Sequence, residues 1–134
     1  MNIKHPIKIT GVGKYLPQVV LSEEIEAEHN IPIGWAEKNS GVHQRHWTGN
    51  ESVGYMGAKA AQSALDNSNT DIKEIDLLIS AGASFDYIIP NQAAVIKSQI
   101  KNADQYHFPA LDINTTCLSF LNAFQYAVSL MNEQ

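Results

Sequence analysis

The chain contains a single cysteine, Cys117, in the run DINTTCLSFLNAF (residues 112–124), where an apolar strand-like segment gives way to a helical one. A lone thiol forms no internal disulfide. Without a C-x-x-C partner it also fits neither dithiol redox chemistry nor a structural zinc site. Two readings remain. At the N-terminal end of a helix, unpaired backbone N–H groups and the helix dipole stabilise a thiolate, the nucleophilic form, and can also hold a developing oxyanion. Alternatively, free cysteine behaves as a small apolar side chain and is among the most buried residue types. Position alone leaves both open.

The five histidines add little to this. His43 and His46 lie three apart, which on a strand sends them to opposite faces and makes no metal pair. His5 and His29 occupy terminal and helix-end contexts and read as solvated. His107 precedes the strand leading to Cys117, but nothing in the sequence aims it at the thiol. No metal site is expected.

The elements that must position the cysteine follow from periodicity and punctuation. Ile3, Ile7, Ile9 and Val12 predict a short buried strand that breaks at Gly11 and Gly13 and turns at Tyr15-Leu16-Pro17. Ser22, followed by Glu23 and Glu24, reads as the N-cap of a helix ending near Asn30. A second short helix fits Pro32 to Ser40, with Gly41 at the left-handed C-terminal position. Residues 42–48 read as an exposed or edge strand. Gly54, Gly57, Ala58, Ala60, Ala61 and Ala64 predict a helix over 51–67 that lets a neighbour approach closely.

Asp71 to Glu74 reads as a tight turn. Residues 75–83, IDLLISAGA, form the continuous apolar run expected of a strand covered on both faces. Pro90 predicts a helix to about Lys101 with Ala93, Ala94, Ile96 and Ile100 facing inward. A strand over 107–114 and a helix over 118–131 complete the chain, the latter with Leu121, Phe124, Ala127, Val128 and Met131 at helical spacing. Strands alternate with helices, so the fold class is α/β.

With 134 residues and 44% hydrophobic content, the chain is expected to form a single domain around one core. A net charge of -5 and nine scattered Lys and Arg residues argue against a nucleic-acid partner. Residues 1–30 hold no sustained apolar segment, and nowhere do about 18 apolar residues run together. A cytoplasmic protein with no membrane partner is therefore expected.

Taken in order, GVGKYLP (11–17), GWAEKNSGVHQR (34–45), the Ala-rich helix, IDLLISAGASFDYIIPNQA (75–93) and ALDINTTCLSF (110–120) resemble the N-terminal half of β-ketoacyl-acyl-carrier-protein synthase III, of the thiolase-like condensing enzymes. The resemblance implies a layered thiolase-like α/β fold, truncated to one N-terminal domain over 1–134, and an acyltransferase of fatty-acid biosynthesis. It makes Cys117 the nucleophile, which accepts an acyl group from a coenzyme A thioester and then passes it to the carbanion formed when malonyl-carrier protein decarboxylates. Thiolates suit both steps, being strong nucleophiles and competent leaving groups.

The resemblance further implies that the Cys117 backbone N–H lines the oxyanion hole and that Trp35 lies against the adenine of coenzyme A. Ile89 would close the acyl pocket of the other subunit of a homodimer. The partners implied are acyl carrier protein, a coenzyme A thioester and a second copy; acyl-CoA and malonyl-carrier protein are substrates, and no cofactor is bound covalently. Trp35 also fits a partly buried aromatic that packs on its own short helix. Asn39 stands where the family commonly has an arginine that helps bind coenzyme A. Thr116 and Ser119 replace the usual alanine and glycine around the nucleophile, reshaping a substrate-binding surface that both are expected to line. A longer or carrier-bound acyl donor, or a secondary-metabolite condensation, fits these changes.

The histidine and asparagine that such enzymes use for decarboxylation come from the second half of the family's chain, which is absent here. Losing an acid–base group costs roughly 10²- to 10⁴-fold in rate, so the 134 residues alone are expected to be inactive in condensation. A bared apolar face should drive dimerisation. The alternatives are a non-catalytic partner of a full-length synthase, a secondary-metabolite acyltransferase, and an unrelated α/β binding domain with a structural cysteine.

Overall fold

A computed structural model describes residues 6–131. The chain divides into two compact units, one formed by Leu16–Ser52 and the other by the chain on either side of it.

In the Leu16–Ser52 unit, β1 (Gln18–Leu21) leads into α1 (Ser22–Glu28), α2 (Trp35–Ser40) and β2 (Gln44–Trp47). The two strands pair antiparallel, Gln18 opposite Trp47 and Leu21 opposite Gln44. The expected strand over 42–48 is therefore present, whereas its partner β1 was not anticipated. Helix α1 begins one residue earlier than predicted, at the serine expected to cap it. Leu21 is the N-cap, with its N–H held by Glu24 Oε2 at 2.8 Å. Ser22 is already helical and 4% exposed; its hydroxyl donates to the Val42 carbonyl at 2.6 Å. The turn after α1 uses a left-handed Asn30, near where the helix was expected to end, and α2 ends on a left-handed Gly41, as the sequence suggests. However, α2 starts at Trp35 rather than Pro32, because Gly34 is itself left-handed, with φ of 84°.

The second unit carries α3 (Val53–Ser68), a 3₁₀ turn at Ile72–Glu74, β3 (Leu78–Ala81), α4 (Gln92–Lys97), a 3₁₀ turn at Ala103–Gln105, β4 (Ala110–Ile113) and α5 (Ser119–Met131). Strands β3 and β4 pair in parallel, Leu78 beside Ala110 and Ala81 beside Ile113, with α4 in the crossover. This is a β-α-β unit, the arrangement that parallel pairing requires. Ala58, Ile72, Ile100, Ala103 and Phe108 form its core, with Leu65, Leu78 and Ile96 packed against them. The small-residue helix works as predicted: a Cβ on Gly57 would come within 2.8 Å of Ile96 Cδ1, so the missing side chain lets Ile96 of α4 reach α3.

Two expectations are corrected. Residues 6–17 contain no strand, and Ile9 and Val12 are 69% and 71% exposed rather than buried; Ile3 lies outside the described residues, as does His5. The segment is held by glycine instead. A Cβ on Gly13 would collide with the Ala60 carbonyl and the Ala64 backbone of α3, so only glycine permits this approach, and Asn67 Nδ2 secures the Val12 carbonyl at 3.0 Å. Strand β3 is shorter than its apolar run and only half-buried, although α4 and α5 both pack on it.

Candidate active site

Strand β4 delivers the chain to a 3₁₀ turn, Thr116–Leu118, from which α5 departs. Cys117 sits in this turn as an exposed free thiol, which removes the reading of a small apolar side chain filling the core. The helix that follows begins at Ser119, so the thiol lies just ahead of it rather than within its first turn.

The backbone immediately before the thiol is unusual. Thr116 has φ of 52°, a left-handed conformation uncommon for any non-glycine residue and an outlier for a β-branched one. Such a residue costs about 1–3 kcal/mol and persists only where its surroundings over-determine it. Here they do. Asn114 Oδ1 accepts from the Thr116 N–H at 3.1 Å, and the Thr115 carbonyl accepts from Leu118 N–H at 3.1 Å and from Thr116 Oγ1 at 2.8 Å. Ser119 Oγ accepts from the Thr115 N–H at 3.0 Å and donates to the Thr116 carbonyl at 2.7 Å. Asn122 Nδ2, one turn into α5, donates to Thr115 Oγ1 at 2.8 Å. The expected substrate-contacting pair is thus divided: Thr116 is exposed, while Ser119 is 3% exposed beneath the turn.

Upstream in β4, Asp112 is a charged residue in an otherwise apolar strand. Its carboxylate accepts from the Ala93 N–H at 2.7 Å and the Gln92 N–H at 2.8 Å, the first turn of α4. A carboxylate there complements the helix dipole and satisfies N–H groups that have no partner inside the helix. The Gln92 side chain, 1% exposed, accepts from the Asp86 N–H at 2.7 Å and donates to Asp86 Oδ2 at 3.2 Å. Asp86 in turn caps α3, accepting from Val53 and Gly54 N–H at 2.8 and 2.6 Å. This network anchors the base of the loop that carries Ile89. The loop tip is apolar and bare: Ile88 is 96% exposed and Ile89 86%.

Trp35 belongs to the other unit. It is 53% exposed. Its backbone is gripped on both sides by Glu26, which is 2% exposed and accepts from Gly34 N–H and Ala36 N–H at 2.6 Å each. His29 and His107 are exposed, while His43 approaches Glu37 at 3.4 Å and His46 Nδ1 meets the Pro17 carbonyl at 2.8 Å. Among the described residues, no three His, Cys, Asp or Glu side chains are grouped to hold a metal ion. No helix among them is long and apolar enough to cross a membrane.

No family model matches the chain. It is 33% identical to β-ketoacyl-acyl-carrier-protein synthase III 1 of Deinococcus radiodurans over 123 residues, covering 90% of this chain and 35% of that one. It is 35% identical to the synthase III of Ehrlichia canis over 121 residues, covering 89% of this chain and 37% of the relative. Among solved structures, the 3-oxoacyl-acyl-carrier-protein synthase III of Aquifex aeolicus superposes with a TM-score of 0.85 at 28% identity, over 94% of this chain and 40% of that one. The chain is similar to the N-terminal portion of a β-ketoacyl-acyl-carrier-protein synthase III. The chain spans little more than a third of the curated synthases it matches.

The fold is the thiolase-like α/β fold of these synthases, cut to that portion. The priming β-ketosynthase of the R1128 polyketide pathway shares it, with a TM-score of 0.81 at 24% identity over 93% of this chain and 37% of that one. Asp112, Gln92, Asp86 and Glu26, whose side chains hold these elements, were not anticipated from the sequence. For Asp112 a signal was present: one acid inside the apolar run ALDI must find donors if the strand is buried.

Proposed function

We propose that this chain is the nucleophile-bearing part of a synthase III-type condensing enzyme of fatty-acid biosynthesis, with Cys117 as its acyl acceptor. The observation that carries the reading is the exposed lone thiol of Cys117 on a strained turn between β4 and α5, in a chain similar to synthase III over about nine-tenths of its length. The Cys117 thiolate attacks the carbonyl of an acyl-coenzyme A thioester, the carbonyl electron pair collapses back, and the coenzyme A thiolate leaves and takes up a proton. Decarboxylation of malonyl-carrier protein then supplies a carbanion that attacks the acyl-cysteine; a carbon–carbon bond forms and the Cys117 thiolate is released.

The second step needs a hydrogen-bonding acid and an enolate stabiliser, which the resemblance puts in the part of the synthase chain that this sequence does not cover. The 134 residues on their own are therefore proposed to take up an acyl group without completing condensation. Trp35, half-exposed and rigidly presented, is the surface offered to the adenine of coenzyme A, and Thr116 the exposed side chain beside the thiol. An acyl-coenzyme A donor and a carrier protein fit a cytoplasmic reaction. Ile88, Ile89, Phe120 and Leu121 are apolar and more than half exposed, which favours a homodimer; monodisperse monomer by light scattering at micromolar concentration refutes that part.

The decisive experiment is intact-mass spectrometry after incubation with acetyl and octanoyl coenzyme A. A mass increase of one acyl group, abolished in Cys117→Ser, is expected. No increase, or one that survives the substitution, refutes the assignment.

A further inference from the structure

We propose that Ser119 is a positioning residue that, through Thr115 and Thr116, sets the direction from which Cys117 meets an acyl thioester. The inference rests on the reading of Cys117 as the acyl acceptor, and it departs from the expectation that Ser119 touches substrate. Ser119 is 3% exposed, so it offers no surface to a ligand. Its hydroxyl instead ties together the peptide groups on either side of the Thr115–Thr116 bond, accepting from the Thr115 N–H and donating to the Thr116 carbonyl.

What these bonds hold in place is the left-handed Thr116. A β-branched residue leaves that conformation readily unless restrained, because its branched side chain crowds the backbone there. Asn122 assists from one helical turn away through Thr115 Oγ1, and Asn114 from the strand side through the Thr116 N–H. Without the Ser119 hydroxyl, Thr116 relaxes to a right-handed conformation. Cys117 then joins the helix as an ordinary first-turn residue, and its sulfur points elsewhere. Attack on a thioester carbonyl depends on approach geometry, where a misplacement of about 1 Å can cost roughly 10²-fold. Alkylation of an exposed thiol by a small reagent carries no such demand.

The contrast supplies the test, and the single cysteine makes each label report on Cys117 alone. In Ser119→Ala, acylation by acetyl or octanoyl coenzyme A is expected to slow by at least about tenfold, while alkylation by iodoacetamide stays within about twofold of native. Glycine occupies the left-handed region without penalty, so in a Thr116→Gly background Ser119→Ala is expected to slow acylation no further, recovering the rate of Thr116→Gly alone, which a purely structural role of the serine would not permit. Equal slowing of both reactions, or no recovery in the double variant, overturns the proposal.

Should Ser119→Ala fail to fold, Asn122→Ala removes only the outer bond; it must slow acylation more than alkylation, and equal effects count against the clamp. Failure of the native chain to acylate refutes the acyl-acceptor reading instead. The clamp is then decided by hydrogen exchange of the Thr115 amide, which Ser119→Ala, or Asn122→Ala in its place, must accelerate; unchanged exchange overturns it.

Discussion

Replacing Glu26 should loosen the Leu16–Ser52 unit, and the size of the effect follows from its geometry. The carboxylate is 2% exposed and accepts two backbone N–H groups at 2.6 Å, from Gly34 and Ala36. Hydrogen bonds to a charged group contribute about 1.5–3 kcal/mol each, and an abandoned buried donor costs its full desolvation. Glu26→Gln keeps the shape and one acceptor but turns an NH₂ group toward the other N–H, so a loss of about 2 kcal/mol is expected. Glu26→Ala removes both bonds and leaves a void, which raises the loss to about 3–5 kcal/mol. Trp35 and Trp47, the only two tryptophans, both lie in this unit, so their fluorescence isolates its unfolding from the rest of the chain. With a urea dependence of about 1 kcal/mol per molar for so small a unit, Glu26→Gln should lower the tryptophan-detected midpoint by about 2 M. A midpoint unchanged in Glu26→Ala would refute the role given to this carboxylate.

Other outcomes are equally direct. Cys117→Ser should leave thermal stability unchanged within about 0.5 kcal/mol, since the thiol is exposed; a larger loss by calorimetry would return the cysteine to the core. Asp112→Asn should destabilise α4 by about 2 kcal/mol, because one of two short N–H contacts then faces an NH₂ group, read as a fall in far-ultraviolet melting temperature. Gly13→Ala should cost about 1–3 kcal/mol, as the new methyl meets α3 backbone that cannot move aside, and urea titration followed by circular dichroism measures it.

The Asp71 carboxyl is held below its ordinary range, first by the Lys73 backbone N–H and then by the Lys73 side chain. Its capping contribution is therefore present above the unfolded carboxylate value and lost as pH falls through the lowered one. In Lys73→Ala, carbon NMR should find the Asp71 titration moved only part of the way back, because the backbone bond remains.

The sequence disclosed most of what local chemistry governs. Gly41 ends α2 where a left-handed residue was needed, and Ala93 and Ile96 turn inward from α4 as their spacing requires, but the helix expected from Pro90 to about Lys101 runs only over Gln92–Lys97, and Ile100 is buried beyond its end. The exposure of Cys117 was not legible in the sequence, because a free thiol suits a core as well as a site. The opening strand was misread since Ile7, Ile9 and Val12 carry a strand pattern while Gly11 and Gly13 decide the packing. Trp35 as the first residue of α2, and Ser119 beneath the turn, depended on partners eight to ten residues away or on a backbone conformation that no residue type announces.

Glu26, Asp86 and Asp112 each close the start of a helix that begins at least nine residues away in sequence, at Trp35, Val53 and Gln92 respectively. Where α2, α3 and α4 begin is therefore not written in their own first turns. A synthetic peptide spanning only 91–98 would lack its acid and remain a coil, and the same holds for the short α2. These helices acquire definite ends only when the surrounding chain has already closed upon them, so each owes its first turn to an acid that the rest of its own unit brings to it.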